Sequence, residues 1–449
     1  MTTPLLMLSY EAPPRLSAES ILVGKTLKAL VAVALTKSAI DLVCAAPGDE
    51  ASTDKMLESL LPKTLRIHRF EPLPKGRKTI LQRILGGKGG WQKAAVNKSL
   101  ALFPAEHKKP TLIYSRSHPP VSHLAALDLV AGAFKGVPWV AHFSDPWSQH
   151  AYYKSAMTRI ALARLERQVF NAATRLIFVS EALRETMLAK ESDAVRAKSR
   201  VVPHCFDASL YSKAPLPATL PTEKPGTRVI AHVGDLYGLR SPATLFEAMS
   251  GLFKAQPQLP EFSTTTTVPQ ASRLPFVHET PHLSEQAGET PAVRENDRYS
   301  IRLWLTGRFD PQFVGLDQAA EIAACVRYCP PVPYLQSLTV MAAADVLLTI
   351  EAPMRHSVFF PSKLVDYLGA RKPLLAITPE GSLTSRLMEQ WRQPWCDARD
   401  SVGLTALLQR IATGQLWPPP AETFLDAYSA LTVGKQLAAI LTEAMKDEG

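Results

Sequence analysis

Short apolar runs alternate with longer segments of mixed polarity along most of the chain. Residues 4–10 and 40–44 are the first two runs of strand length, and the segment between them places apolar residues at helical spacing. Further strands are predicted at residues 64–70, 110–115, 137–143, 175–181, 200–207, 228–233, 301–306, 325–328, 344–350 and 374–377. Strands that are joined through helices pair in parallel, so the pattern predicts an α/β protein with doubly wound parallel sheets.

A proline-rich stretch at residues 212–226 interrupts this alternation and predicts a linker. We therefore expect a first Rossmann-like domain over 1–214, a second over 227–420, and a C-terminal amphipathic helix over 421–449. Residues 256–297 are rich in Pro, Thr, Ser and Glu and lack periodicity, which predicts a disordered insertion in the second domain.

The most informative stretch is residues 359–373, which follows the apolar run at 344–350. The pattern predicts a loop and then a short helix, with Ser362 capping the helix start and Lys363 adding a positive charge there. Free N–H groups at such a helix start form an anion site at the carboxyl edge of the sheet. Asp366 lies three residues later, so we expect it on the same helix face as Lys363. A cation for phosphate beside a carboxylate for sugar hydroxyls suits a nucleotide diphosphate.

Residues 228–242 repeat the order of strand, glycine-containing loop and helix start. Within them, Val-Gly-x-Leu-Tyr-x-x-Arg-Ser-Pro at 233–242, together with Phe-Pro-Ser-Lys-Leu-x-Asp-Tyr-Leu-x-Ala-x-Lys-Pro at 360–373, resembles the donor-binding segments of GT-B glycosyltransferases of the family 4 type. The resemblance implies two domains that face each other across a cleft, with the acceptor on the first and a nucleotide sugar on the second. It also implies transfer with retention of anomeric configuration.

The resemblance assigns roles to individual residues of this sequence. Gly234 lets the backbone approach the donor, Arg240 clamps the diphosphate, and Asp366 holds the donor ribose. Ser362 and Lys363 belong to a loop that meets the diphosphate. Because the departing diphosphate gains negative charge, Arg240 and Lys363 are also predicted to act in catalysis.

Polar residues also follow two predicted strands of the first half, where they resemble the acceptor-side Pro-Pro-x-Ser and Asp-Pro-Trp loops of the family. Asp145 is the candidate catalytic residue that orients acceptor or donor hydroxyls, and its structural alternative is to cap a helix from Pro146 onward. His118 and His142 are acceptor-side candidates, although a lone histidine is more often structural than catalytic.

The chain departs from the family pattern at several positions. Usual family residues are absent at Val358, Ser144, His204 and Cys205. These departures keep two alternatives open. One is a non-catalytic nucleotide-sugar-binding scaffold protein, and the other is a sugar-nucleotide epimerase or hydrolase on the same fold. The family resemblance favours a glycosyltransferase in cell-surface polysaccharide or glycolipid synthesis, with a saccharide or lipid-linked acceptor.

The amino-acid composition bears on which partners the protein binds. The chain has 50 Lys and Arg against 41 Asp and Glu, a net charge of +9, which suits anionic partners. The basic residues lack an interleaved aromatic platform, so nucleic acid is not an expected partner. Residues 75–98 are cationic and amphipathic, and they either contact an anionic membrane or pack on the sheet.

No motif calls for a cofactor or a metal. The five cysteines are scattered and suit buried thiols, and no Asp-x-Asp pair is present. Gly24-Lys25-Thr26 resembles the end of a phosphate-binding loop, but Glu19 stands where that loop requires glycine. The longest wholly apolar run, residues 29–35, is far shorter than the roughly 20 residues that span a bilayer. We therefore expect a cytoplasmic protein, with peripheral contact at the inner face of the membrane as one option.

Overall fold

The computed structural model describes residues 4–33, 39–48, 53–71, 89–104, 109–150, 153, 155–220, 222–256, 300–313, 316–317, 320–354 and 357–446. The predicted insertion at 256–297 and most of the cationic segment at 75–98 lie outside these residues. Two α/β units follow each other along the chain, each built on its own parallel sheet.

The first unit contains a seven-stranded sheet in the order β3-β2-β1-β4-β5-β6-β7. Its strands are β1 (Leu5–Leu8), β2 (Ile40–Ala45), β3 (Arg66–Phe70), β4 (Ile113–Ser117), β5 (Trp139–Phe143), β6 (Arg175–Phe178) and β7 (Ser199–Val201). Its helices are α1 (Ala18–Ala32), α2 (Gly89–Leu102), α3 (Val121–Ala131), α4 (Ala156–Ala172), α5 (Glu181–Leu188) and α6 (Asp193–Ala197), with 3₁₀ helices at Lys55–Leu60 and Ala208–Leu210. The strands read as continuous apolar runs because helices cover both faces of such a sheet.

The second unit contains a six-stranded sheet in the order β10-β9-β8-β11-β12-β13. Its strands are β8 (Thr227–Val233), β9 (Ser300–Thr306), β10 (Val326–Cys329), β11 (Val346–Ile350), β12 (Leu374–Ile377) and β13 (Trp395–Cys396). Its helices are α7 (Ala243–Ala255), α8 (Ala320–Cys325), α9 (Tyr334–Ala343), α10 (Ser362–Gly369), α11 (Leu383–Gln390) and α12 (Ser401–Ala412), with a 3₁₀ helix at Pro311–Phe313.

All strand pairs of both sheets are parallel, and the strand order reverses beside β1 in the first sheet and beside β8 in the second. Ligands of open α/β sheets bind outside the carboxyl ends of the strands at such reversal points. The predicted fold class, two doubly wound Rossmann-like units, is confirmed.

The C-terminal segment returns to the first unit. It forms two helices, α13 (Glu422–Ala427) and α14 (Ala430–Lys446), so the single helix predicted for 421–449 is wrong in its first part, where the chain turns at Tyr428. There the Phe206 N–H donates to the Tyr428 carbonyl oxygen, and the Ala430 N–H donates to the Phe206 carbonyl oxygen. On α14, Gly434 lies so close to α1 that a Cβ would be 2.8 Å from the Ala29 carbonyl oxygen.

The apolar face of α14 belongs to the core of the first unit. Leu437 and Leu441 are buried in one cluster with Leu27 and Leu30 of α1. Among the described residues, none of the helices has the length and apolar character needed to cross a bilayer.

Candidate donor site between the two units

Two loops meet backbone to backbone at the carboxyl edge of the second sheet. Gly234 after β8 has φ +129°, and Gly307 after β9 has φ +145°, values that L side chains rarely adopt. A Cβ on Gly307 would be 2.5 Å from the Gly234 oxygen, and a Cβ on Gly234 would be 2.7 Å from Lys363 Nζ. Glycine is therefore needed at both positions, and the Gly234 backbone lies directly against the end of the Lys363 side chain.

Lys363 lies in the first turn of α10, with its Nζ 3.1 Å from His232 Nε2. Burial, and secondly the charge of Arg240, lowers the pKa of Lys363 to about 7. His232 Nδ1 lies 3.1 Å from the Leu348 carbonyl oxygen, which can only accept, so Nδ1 carries the proton and Nε2 accepts from Lys363. Burial and then Lys363 hold the pKa of His232 well below its usual value, so the ring is neutral.

Arg240 stands at the mouth of the same site. Its Nη1 donates to the Tyr237 hydroxyl at 3.0 Å, and its guanidinium lies 4.8 Å from the centre of the Tyr237 ring. The charge of Arg240 lowers the pKa of Lys363 and of Asp145, so its guanidinium acts electrostatically on both predicted residues. Two cations of the second unit and one carboxylate of the first therefore share one region of the cleft.

The start of α10 differs from the prediction in one respect. Pro361 is the N-cap, Ser362 is the first helical residue, and no side chain caps the helix. The predicted capping role of Ser362 is therefore wrong, because Pro361 already holds the extended conformation that precedes the helix. The first-turn N–H groups keep no side-chain cap and remain suited to an anion.

Asp366 is placed differently from Lys363. Its Oδ1 accepts from Lys25 Nζ at 2.8 Å and from the Tyr334 hydroxyl at 3.0 Å, and its side chain is 6% exposed. The expectation that Asp366 and Lys363 act from one helix face is thus corrected: Lys363 faces the loop at Gly234, whereas Asp366 faces the first unit.

Asp145 lies in the loop after β5 and remains partly exposed. Within the described part of the chain its carboxylate has no hydrogen-bond partner. Burial, and secondly the charge of Glu19, raises the pKa of Asp145 to about 7. Its alternative role as a helix cap is wrong, because α4 begins at Ala156 and is capped by Ser155.

A buried ion pair contacts the loop that carries Asp145. Arg116 Nε donates to Glu19 at 2.8 Å, and other Arg116 nitrogens donate to Thr26 and Ser144 at 3.0 and 3.1 Å. Ser144 immediately precedes Asp145 and stands where many family members carry histidine. In this protein its hydroxyl accepts a hydrogen bond from Arg116. Sequence reasoning missed Glu19 and Arg116, since they are 97 residues apart and carry no shared motif.

The two histidines are separated by the structure. His142 is 2% exposed, its Nδ1 lies 2.8 Å from the Tyr114 hydroxyl, and burial holds its pKa well below the usual value. It is a neutral core residue, so its predicted place on the acceptor side of the cleft is wrong. His118 is partly exposed, and its ring lies 5.8 Å from that of His150, which in turn lies 5.0 Å from Phe359 of the second unit.

A cavity of about 560 Å³ lies beside these rings, between the two units. It is lined by Pro146, Gln149, Ala182, Glu185, Thr186, Ala189, Met354, Ser357, Val358, Phe359 and Arg386. Val358, where many family members carry glutamate, therefore contributes an apolar wall. Glu351, the residue after β11, accepts from the Thr378 hydroxyl and has its pKa raised by burial.

Comparison with known proteins bears on the family of the first unit and on the fold. Residues 29–205 match the family described as "Glycosyl transferase 4-like domain". No curated protein matches the sequence. Sucrose-phosphate synthase from Thermosynechococcus elongatus is a structural neighbour at 16% identity, with 99% of this chain and 95% of that chain covered and a TM-score of 0.58.

Two further solved structures cover nearly the whole fold. WaaG, a glycosyltransferase involved in lipopolysaccharide biosynthesis, has 13% identity and a TM-score of 0.58, with 98% of this chain and 99% of that chain covered. A putative UDP-N-acetylglucosamine 2-epimerase from Listeria monocytogenes has 11% identity and a TM-score of 0.57, with 100% and 98% covered. At these identities the structural matches establish the fold.

The fold of the whole chain is therefore GT-B. The glycosyl transferase 4-like match over residues 29–205 and this fold together support a glycosyltransferase, an enzyme that transfers a sugar. Within the described residues, no group of three or more His, Cys, Asp or Glu side chains is arranged to hold a metal ion.

Proposed function

We propose that the enzyme transfers a sugar from a nucleotide-sugar donor to a saccharide or lipid-linked acceptor, with retention of anomeric configuration. The observation that carries this proposal is the convergence of Lys363, Arg240 and Asp145 on one cleft region, beside the glycine loops at Gly234 and Gly307. The site of this chemistry is the edge where the carboxyl ends of β8, β9 and β11 meet.

In this proposal the second unit stabilises the leaving diphosphate. Departure of the nucleotide from an oxocarbenium-like centre places negative charge on the phosphates. Arg240, Lys363 and the N–H groups at the start of α10 supply positive potential there without a cofactor or a metal ion. Lys363 has a pKa of about 7, so its amine is about half protonated at pH 7, and an arriving diphosphate draws it fully into the cationic form.

The first unit supplies the acceptor side. The Asp145 carboxylate accepts no hydrogen bond from the residues that the structure describes, and we assign it the orientation of a sugar hydroxyl at the reacting centre. The neighbouring cavity between Gln149 and Phe359 has the mixed polar and apolar lining that suits a saccharide. His118 remains an acceptor-side candidate because its ring neighbours the same region.

We further propose a role in cell-surface polysaccharide or glycolipid synthesis in the cytoplasm, as the family resemblance suggests. The membrane contact predicted for residues 75–98 stays a prediction, although Trp91 within that segment packs in the core against Tyr10 and Phe70. The putative epimerase among the structural neighbours shares the fold, so epimerisation of a nucleotide sugar is the principal rival reaction.

A thermal-shift screen against UDP, GDP, ADP, TDP and CMP tests the donor assignment. Ligands that bind the folded state raise the melting temperature. We expect one nucleotide to stabilise the wild type, to lose most of its effect on Lys363→Ala, and to keep its effect on Lys254→Ala, an exposed lysine of α7. If none of the five shifts the wild type, the nucleotide-sugar assignment fails and the scaffold alternative gains.

A further inference from the structure

Lys25 of α1 is a buried cation of the first unit that pairs with a carboxylate of the second. Its Nζ lies 2.8 Å from Asp366 Oδ1, and the two side chains are 0% and 6% exposed. The residues are 341 positions apart in sequence. A buried ion pair of this kind is costly to assemble unless its remaining hydrogen-bonding positions are also used, so the details of its partners are informative.

Tyr334 is the second partner of the same oxygen. Its hydroxyl donates to Asp366 Oδ1 at 3.0 Å, and its ring lies 5.9 Å from the Lys25 ammonium. Burial, followed by the charge of Asp366, raises the pKa of Tyr334 well above its usual value, so the hydroxyl keeps its proton and donates. Lys25 and Tyr334 therefore fix one oxygen of the carboxylate from two directions.

Tyr334 is itself held by the first unit. Its backbone N–H, at the start of α9, donates to Asp54 Oδ2 at 2.7 Å, while Asp54 Oδ1 caps the 3₁₀ helix Lys55–Leu60 through the N–H of Met56. Asp54 thus caps one helix in each unit. Lys25 thus binds Asp366 Oδ1 across the boundary between the units, and the helix start that carries Tyr334 is bound by the first unit.

The second oxygen of Asp366 is left for a ligand. Oδ2 accepts no hydrogen bond from the part of the chain that the structure describes, although Oδ1 accepts two. We propose that Lys25 is a positioning residue of the donor site: it fixes Asp366 Oδ1 across the boundary between the units, so that Oδ2 accepts a ribose hydroxyl only while the units are in contact. This inference rests on the proposed nucleotide-sugar function and adds a residue of the acceptor-side unit to donor recognition.

The test measures recognition of the ribose rather than activity. Calorimetric affinities are compared for UDP, GDP and ADP and for the 2′-deoxy and 3′-deoxy form of each. A hydrogen bond to a charged group predicts that the wild type prefers a ribonucleotide over one deoxy form by about tenfold to a hundredfold. Asp366→Asn and Lys25→Met are expected to lose most of this preference.

The matched control is Lys28→Met. Lys28 lies on α1 three residues after Lys25 but pairs with Asp207 of the first unit, so it should keep the wild-type preference. Since Lys25→Met leaves a buried carboxylate unpaired and can prevent folding, Tyr334→Phe serves as a milder variant that removes only one bond to Oδ1. It should reduce the preference in part.

The outcomes separate the two claims. If Asp366→Asn loses the preference while folded Lys25→Met, or Tyr334→Phe in its place, retains it in full, the positioning role is overturned and the donor site stands. If the wild type binds a diphosphate with no preference for the ribose form, the inference also fails. If none of the three ribonucleoside diphosphates binds the wild type, the inference fails, and the thermal-shift screen of all five nucleotides decides whether the proposed function fails with it.

Discussion

Replacement of Lys363 by methionine tests the electrostatics of the donor site most finely. The side chain keeps its approximate length, but the amine that lies 3.1 Å from His232 is lost. A hydrogen bond to a charged group contributes about 1.5–3 kcal/mol. The affinity for the nucleoside diphosphate that stabilises the wild type should therefore fall by roughly 10- to 150-fold.

The pH dependence of binding gives a second, independent signature. With a pKa of about 7, lowered by burial and then by Arg240, the Lys363 amine is about half protonated at pH 7 and about one-eleventh protonated at pH 8. If the bound diphosphate holds the protonated form, binding takes up about half a proton at pH 7, and the Kd rises about fivefold between pH 7 and pH 8.

Calorimetry in two buffers of different ionisation enthalpy measures this proton uptake directly. Asp145 and the phosphate groups of the ligand are the same in the wild type, in Lys363→Met and in the surface control Lys254→Met. The difference in proton uptake between Lys363→Met and the other two proteins therefore belongs to the Lys363 amine. The reasoning is refuted if Lys363→Met binds with wild-type affinity, or if it takes up as many protons as the wild type.

Three further substitutions test separate parts of the account. Asp145→Asn should abolish most transfer and raise the melting temperature. Because the pKa of Asp145 in the folded state is raised to about 7 from an ordinary 3.8, the gain in stability is complete above pH 7 and shrinks as the pH falls towards 4. A gain that does not change with pH would contradict this explanation. Gly307→Ala should lower the urea midpoint by an amount equivalent to about 1–3 kcal/mol of stability. Gly226 has φ +81° but open space around it, so Gly226→Ala should lose less stability. Equal losses would show that the close approach of Gly307 to the neighbouring loop is not the cause. Leu437→Ala in the buried face of α14 should lower the free energy of unfolding by about 2–5 kcal/mol. Leu431 is exposed, so Leu431→Ala should change it by no more than about 0.5 kcal/mol. Similarly small losses for both variants would mean that α14 does not stabilise the first unit.

Much of the fold was predictable because its signals are local. Apolar runs at strand length and prolines between β7 and β8 lie next to one another in the sequence, so the two sheets could be anticipated. The approach of Lys363 to Gly234 was also accessible, because both residues belong to contiguous motifs that follow strands of one sheet.

The remaining contacts depend on long-range packing that no local pattern encodes. The Lys25 to Asp366 pair joins residues of different units, and the Glu19 to Arg116 pair joins α1 to the end of β4. Burial decided the role of His142, whose sequence neighbourhood resembles a binding loop although its side chain points into the core. Only the position of these residues on the folded sheets separates a ligand contact from a structural one.

NMR analysis of the product formed from a nucleotide sugar and an acceptor panel of saccharides and lipid extracts would show the reaction itself. We expect a new glycosidic linkage with the same anomeric configuration as the donor, formed by the wild type and lost in Asp145→Asn and Lys363→Met. Free sugar, an epimerised nucleotide sugar, an inverted linkage, or a donor that binds but is never consumed would each contradict it.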